Sequence, residues 1–235
     1  LVLRTLDPPT DADLGRLREF EAGQGVRLYL QSGGPASIGA LTPGRPPLRY
    51  ALPGSGLSIE FEPTDFIQVN GAINQAMVER AIDLLGPQPQ DRVLDLFCGL
   101  GNFSLPLARL ALEVVGVEGD AGLVARAGMN ARRQSFGNVE FHAADLAAPA
   151  TGAAWAKRPF ERVLLDPPRA GAREVLPLVA DSGATRVVYI SCHPGSLARD
   201  AGILVRDHGF QLVAAGVMDM FPHTTHVEAM SVFER

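Results

Sequence analysis

Five short apolar runs recur along this chain at intervals that each leave room for a helix, and no other feature constrains the fold as much. They are Arg92–Phe97 (RVLDLF), Glu113–Glu118 (EVVGVE), Val139–His142 (VEFH), Arg162–Asp166 (RVLLD) and Arg186–Cys192 (RVVYISC). Continuous apolar strands alternating with helical stretches predict an α/β fold whose parallel sheet is covered on both faces. Two further strand candidates, Gln211–Val217 and His226–Phe233, are separated only by a loop, which suits an antiparallel pair at the sheet edge. A helix leads into the series. From Asn74 onward, Met77, Ala81, Ile82 and Leu85 fall at helical spacing, and Gly86-Pro87 ends the run. In an open sheet of this kind ligands bind beyond the carboxyl ends of the strands, where strand order reverses, so the residues there carry the chemistry.

Residues 1–65 read differently. Pro8-Pro9, Gly33-Gly34-Pro35, Pro43-Gly44, Pro46-Pro47 and Pro53-Gly54 interrupt the segment and leave space only for short elements. A helix over 11–22 with Leu14, Leu17 and Phe20 on one face, and strands at Val26–Leu30 and Leu57–Phe61, make a small β-rich appendage. The main domain is then 66–235. At 235 residues and 46% hydrophobic the chain has ample material for a core, yet no apolar run approaches the ~18 residues of a membrane span. Its two cysteines, Cys98 and Cys192, are too few for a disulfide framework, an all-cysteine zinc site or an iron–sulfur cluster. A reduced, cytoplasmic setting is expected. The net charge of −5, with Lys157 the one lysine among 21 bases, argues against nonspecific polyanion binding through a broad positive field. The chain begins at Leu1 without a signal pattern, as an excised or processed chain would.

The first strand of the series runs into Asp95-Leu96-Phe97-Cys98-Gly99-Leu100-Gly101-Asn102, a glycine loop opening a helix. Gly99 and Gly101 permit a sharp turn and close backbone approach to a ligand. A dinucleotide site wants a third glycine at 104, where Ser104 stands, so hydride transfer is disfavoured. Glu118 closes the second strand 23 residues after Asp95, placed to accept from ribose hydroxyls, and Asp145 closes the third, where a carboxylate accepts from an adenine amine. These acids with a glycine loop and no phosphate-binding lysine describe a nucleoside without a polyphosphate, and S-adenosylmethionine fits. The alternative is that each acid caps the following helix.

The fourth strand ends Asp166-Pro167-Pro168-Arg169. Amino-group methyltransferases follow a comparable Asp-Pro-Pro with an aromatic; here Arg169 takes that place, so methylation of an exocyclic nitrogen loses support. Asp166 is left to orient a polar ligand edge. At the end of the fifth strand Cys192 adjoins a helix start, whose partial positive charge lowers a thiol pKa and favours a nucleophilic thiolate. Its alternative is a small core residue, the reading that suits Cys98 beneath the loop. Near the carboxyl end, His226 and Glu228 alternate by two and share one strand face; with His223 they could ligate a metal, or Glu228 could serve as a base beside a thiolate. Arg132, Arg133 and Arg199 are open to phosphate contacts or to a solvated face.

With these blocks in place the chain resembles the RNA uracil-C5 methyltransferases, in particular the branch acting on 23S ribosomal RNA. The resemblance runs from Phe66-Ile67-Gln68-Val69-Asn70 through Asp95–Asn102, Leu165–Gly171 and Ser191–Asp200 to Asp219–Glu228, five blocks in one order. It implies a Rossmann-like class I AdoMet-dependent methyltransferase fold and an RNA substrate. It also implies that Gln68, Phe97, Asn102, Glu118, Asp145 and Asp166 line the cofactor and target-base site, that Cys192 is the nucleophile and that Glu228 is the base. Members of that branch carry an amino-terminal RNA-binding barrel and an iron–sulfur cysteine cluster, so the chain matches only the later part of the central domain and the catalytic domain. His193 stands where members generally have asparagine. The chemistry is that of a thiolate adding to carbon 6 of a uracil turned out of its stack, which makes carbon 5 nucleophilic. Two other readings stay open: an RNA cytosine-C5 methyltransferase, which shares the thiolate, and a noncatalytic RNA- or cofactor-binding module.

Overall fold

The computed structural model describes residues 1–148 and 152–235. Two units separate by their internal contacts: Leu1–Arg49 with Glu60–Phe66, and Tyr50–Ile59 with Ile67–Arg235. The segment Tyr50–Ile59 thus belongs with the larger unit, not with the appendage into which a boundary at residue 65 would put it.

In the smaller unit β1 (Val2–Arg4) pairs in parallel with β2 (Tyr29–Gln31), and α1 spans Asp11–Gln24. Strand β3 (Ile38–Ala40) adds antiparallel to β2. Thr10 starts α1 with a capping box to Asp13, and Gly25, at φ 62, ends it. The buried Glu21 of α1 accepts from Leu28 N at 2.9 Å and from the Thr42 hydroxyl at 2.5 Å. The expected strand over Val26–Leu30 is therefore shorter and displaced, because Leu28 N is committed to Glu21. Leu57–Phe61 does form a strand, β5, but it pairs with β4 (Leu48–Leu52) in a separate two-stranded sheet.

After Ile67 the larger unit continues with α2 (Gly71–Leu85), which starts three residues earlier than the apolar spacing implies. The side chain of Asn70 caps it by accepting from Ile73 N at 3.2 Å, so a polar first turn joins the helix. Then follow β6 (Arg92–Leu96), α3 (Ser104–Leu107), β7 (Glu113–Glu118), α4 (Ala121–Arg133), β8 (Val139–Ala143) and β9 (Arg162–Leu165). The chain continues through α5 (Leu176–Asp181), β10 (Arg186–Ser191), α6 (Pro194–His208), β11 (Gln211–Met218) and β12 (Glu228–Glu234). Between β8 and β9 the described residues hold only a 3-10 turn, Trp155–Lys157, where the alternation predicts room for a full helix.

The sheet order is β11-β12-β10-β9-β6-β7-β8. Strands β10 to β8 are parallel, and β12 runs antiparallel to both β10 and β11, which is the expected edge pair. The run is continuous in apolar residues because both faces are covered. Val93, Leu94, Val115, Val163, Leu164, Val187 and Val188 are all fully buried. In β7, Gly116 is required by a close approach: a Cβ there would lie 2.5 Å from Phe141 Cδ1. Strand order departs from β6 in both directions, toward β7–β8 and toward β9–β10, so the crevice lies beyond the carboxyl ends of β6 and β9.

Candidate active site

The glycine loop is a mixture of backbone shaped for packing and backbone open to a ligand. Gly101, at φ 88, would bring a Cβ to 3.2 Å from Leu105 Cγ and 3.3 Å from Phe141 Cζ, so it serves close packing. Gly99, at φ 53, has open space where its Cβ would stand. Phe97 adopts φ 66, a left-handed conformation that costs an aromatic residue energy and persists only when its surroundings enforce it. Here Phe97 N and Cys98 N both donate to Val117 O, at 2.8 and 3.1 Å. Cys98 is buried beneath the loop, and its thiol is pushed well above the ordinary range by burial.

Asp95 is closed off from solvent. It is fully buried in β6, accepts from the hydroxyl of Ser104, and keeps its other oxygen without a partner. Burial, with a contribution from Glu118, raises its pKa to about 7. Ser104 at the third-glycine position is thus the polar partner of a buried acid. Glu118 is partly exposed; it accepts from Gly99 N at 3.2 Å, Gly119 N at 2.7 Å and Asp120 N at 3.1 Å. The capping alternative fails for Glu118, since α4 is capped by Asp120, which accepts from Gly122 N and Leu123 N. Asp145 is exposed past the end of β8 and accepts from Ala147 N at 2.9 Å.

Asn102 faces other protein groups. Its Oδ1 accepts from Asn74 Nδ2 at 3.2 Å and from the Tyr50 hydroxyl at 3.1 Å, and its Nδ2 donates to Asn74 Oδ1 at 2.9 Å. Asn74 and Tyr50 had no motif to announce them, being 28 and 52 residues away. Gln68, in the larger unit, carries a buried Oε1 with no partner. A buried amide oxygen without a donor costs about 1–3 kcal/mol unless a ligand supplies one.

The Cys192 side of the crevice is set by strand register. Ser191 pairs with Ala229 in the antiparallel β10–β12 ladder, so the next pair brings Cys192 opposite Glu228. Tyr189 pairs with Leu165 and Leu96 with Leu165, which sets Asp166 one step further on, beside Phe97; Asp166 N donates to Leu96 O at 3.3 Å. Cys192, Glu228 and Asp166 are therefore neighbours at the carboxyl end of the sheet. Burial raises the Glu228 pKa, and burial with Glu228 and Asp95 raises that of Asp166 to about 8.

The helix start does not dominate the Cys192 thiol. Its pKa is raised, first by burial, then by Glu228 and Asp166, against a lowering by Arg169. Burial, joined by the acids at the ends of β9 and β12, sets the direction, where sequence proximity made only the helix start visible. The helix start itself is occupied: His193 caps α6, its Nδ1 accepting from Ser196 N at 3.1 Å. An imidazole nitrogen does here what an asparagine oxygen would do, which accounts for histidine after the nucleophile position. Ser191 Oγ accepts from His193 N at 3.1 Å and holds the turn.

His226 lies in the loop before β12 and is exposed, while Glu228 begins the strand and is buried, so the two do not share a strand face. His226 instead meets Arg169, with Nη2 2.9 Å from Nδ1. Among the described residues no three His, Cys, Asp or Glu side chains group as metal ligands. Arg199 is not free for phosphate, since it pairs with Asp200 at 2.7 Å and donates to Ala170 O at 2.8 Å. Arg132 and Arg133 are exposed in the last turn of α4, where cations oppose the helix dipole.

Two measurements follow from these charges. Arg169→Gln removes the cation that lowers the Cys192 pKa, so the pH profile of thiol alkylation should move to higher pH, by up to about one unit given solvent screening; a profile at or below the wild-type position would show that Arg169 does not act on the thiol. Asp166 holds its proton to about pH 8 in the fold but ionises near 3.8 when unfolded. The folded state binds the extra proton between those values, so stability falls as pH rises through that window. Asp166→Asn should therefore be stabilised relative to the wild type by about 1–3 kcal/mol at pH 8, with the difference shrinking toward pH 4, in urea melts. Parallel melts at both pH values would contradict the burial argument.

The sheet order, the glycine loop after β6 and the acids at the crevice define a Rossmann-like α/β fold of the AdoMet-dependent methyltransferase class. Solved structures share it. The Pyrococcus abyssi tRNA (uracil-54, C5)-methyltransferase in complex with S-adenosyl-L-homocysteine aligns with TM-score 0.71 at 25% identity, over 88% of this chain and 50% of that one. M. jannaschii TYW2 in complex with AdoMet aligns with TM-score 0.61 at 16% identity, over 89% and 93%, and shows the fold alone.

The chain belongs to the tRNA (uracil-5-)-methyltransferase family, whose profile matches residues 51–235. Curated relatives include the 23S rRNA (uracil(1939)-C(5))-methyltransferases RlmD of Alkalilimnicola ehrlichii, 57% identical, and of Xanthomonas euvesicatoria, 54% identical, each over the whole chain. The chain spans about half the length of these relatives, 53% in both cases.

Proposed function

We propose that this chain transfers a methyl group from S-adenosylmethionine to carbon 5 of a uridine in RNA, with 23S ribosomal RNA as substrate and the cytoplasm as its place of action. The observation that carries the reading is the β10–β12 register, which brings Cys192 opposite Glu228 beside Asp166. The names of the relatives support the substrate class. The residues present fit the cofactor: the partnerless Gln68 Oε1, the open space at Gly99 and the partly exposed Glu118, whose carboxylate the backbone amides of Gly99, Gly119 and Asp120 hold in place, lie in the same unit. Gln68, Phe97, Gly99, Glu118 and Asp145 would hold it, with Gly101 and Asn102 shaping the loop. When bound, S-adenosylmethionine supplies an electrophilic methyl group.

Cys192 Sγ, as thiolate, adds to carbon 6 of the uracil; the S–C6 bond forms and the C5=C6 π pair moves to carbon 5 and oxygen 4. Asp166, protonated at neutral pH, donates a hydrogen bond to the base edge as that charge develops. Carbon 5 takes the methyl group, and the Glu228 carboxylate removes its remaining proton. The freed pair restores C5=C6 as Sγ leaves. A base whose pKa burial moves toward neutrality suits this step.

An in vitro transcript of 23S rRNA carrying 5-fluorouridine tests the reading, because fluorine at carbon 5 denies Glu228 a proton to remove. With S-adenosylmethionine present, a protein–RNA adduct that survives denaturation and maps to Cys192 is expected. Binding of RNA without any adduct would favour the noncatalytic module instead.

A further inference from the structure

The loop from Asp166 to Ala172 carries Asp166 and Arg169, which act on the Cys192 thiol, and its far end is held by a pair of side chains of α6, Asp200 and Arg199. Asp200 is fully buried, 0% exposed. Its Oδ2 accepts from Ala172 N at 2.8 Å and from the Tyr189 hydroxyl at 2.7 Å. Its Oδ1 accepts from Arg199 Nε at 2.8 Å and pairs with Arg199 Nη2 at 2.7 Å, and that same Nη2 donates to Ala170 O at 2.8 Å. Gly171, at φ 89, lies against the pair: a Cβ there would stand 2.5 Å from both Asp200 Oδ2 and Arg199 Nη2.

We propose that Asp200 is a positioning residue for methyl transfer, fixing the 166–172 loop on α6 and β10 so that Asp166 and Arg169 meet Cys192 in one arrangement. The proposal rests on the reading of Cys192 as nucleophile. A buried carboxylate is costly unless its oxygens are paired, and both oxygens of Asp200 are, with donors taken from the loop, from β10 and from its own helix. Packing of α6 on the sheet does not call for the charge, because Leu197, Leu204 and the adjoining Phe210 already enter the core there. What the carboxylate adds is the place of the loop backbone. At the near end Asp166 N is tied to Leu96 O, Pro167 and Pro168 fix their own φ angles, and Gly171 N donates to Pro168 O at 2.8 Å. Clamped at both ends, the arc has little freedom left, and its apex, Arg169, reaches His226.

The test uses the whole chain with Asp200→Asn and Tyr189→Phe, each assayed on 23S rRNA transcript with S-adenosylmethionine. An amide at 200 turns donors toward the donors of Ala172 or Arg199. For Asp200→Asn kcat should fall about 10- to 100-fold, while KM for RNA and the S-adenosylmethionine dissociation constant move by less than about threefold. Tyr189→Phe, which removes one donor and keeps the ion pair, should lower kcat about three- to tenfold. Hydrogen–deuterium exchange at the Ala172 amide should accelerate in both. A folded Asp200→Asn protein with kcat within about twofold of wild type, or with only KM raised, overturns the proposal. Should Asp200→Asn fail to fold, Tyr189→Phe decides: faster Ala172 exchange with unchanged kcat overturns it equally. Absence of a Cys192 adduct in the wild type defeats the nucleophile reading itself, and Ala172 exchange still reports the clamp.

Discussion

Cys192→Ala should abolish both the 5-fluorouridine adduct and methylation of ordinary uridine, with kcat down by at least about 10⁴-fold. The size follows from the chemistry. Uracil carbon 5 is too weakly nucleophilic to take a methyl group unless carbon 6 carries a substituent that donates its electron pair, and no other group at the crevice replaces sulfur. Cys98 is no substitute, since it is buried beneath the glycine loop with its thiol held protonated. Binding of S-adenosylmethionine should survive, because the residues fitted to it lie along β6, β7 and the segment before α2. Cys192→Ala that still methylates, or that still forms the adduct, would end the nucleophile assignment. The wild-type rate should also climb with pH, up to about tenfold per unit from 7 to 8, because the Cys192 pKa is raised and the thiolate is scarce at neutrality, and flatten above about 8, where Asp166 gives up the proton it donates.

Glu228→Gln should separate methyl transfer from release. Glutamine is isosteric and neutral, so the buried position tolerates it, and removing a carboxylate that opposes the thiolate leaves addition intact or faster. The single methyl transfer is expected within about tenfold of the wild-type rate, whereas proton removal and release fall about 10²- to 10⁴-fold. The methylated adduct should then accumulate on ordinary uridine and appear as a denaturation-resistant band at the summed mass of protein and RNA. Multiple turnovers at near wild-type speed would take Glu228 out of the base role.

The large sheet was legible because burial on both faces leaves runs such as Glu113–Glu118 continuous in apolar residues, and that strand has the bounds the run implies. Three-residue strands such as β1 and β3 are shorter than any period can reveal, which is why the smaller unit was read only in outline. The start of α2 was missed for a related reason: its first turn is polar and depends on the Asn70 cap. In the site, residues at strand ends were visible from position. What they touch was not. The sign of the Cys192 shift comes from burial first, with Glu228 and Asp166 adding to it from distant strands, while only the helix start lies next to it in sequence. The Asn74–Asn102–Tyr50 amide network and the Asp200 clamp join residues up to 52 apart through ordinary polar side chains. The left-handed Phe97 is opposite to any local rule, since glycine is the residue such a position invites.

The reversed direction of β12 decides where Glu228, the proposed base, arrives. In a parallel strand the residue at the crevice is the last one made; in β12 it is the first, Glu228. A parallel strand of the same sequence would set that carboxylate about 20 Å away, at the opposite rim of the sheet. Timing is affected as well. A nascent chain that has emerged as far as Asp219 already holds the thiol strand, its helix and the acids proposed for the nucleoside, yet lacks the group proposed to let product go. On the proposed mechanism, translation completes the means of release after the means of attack.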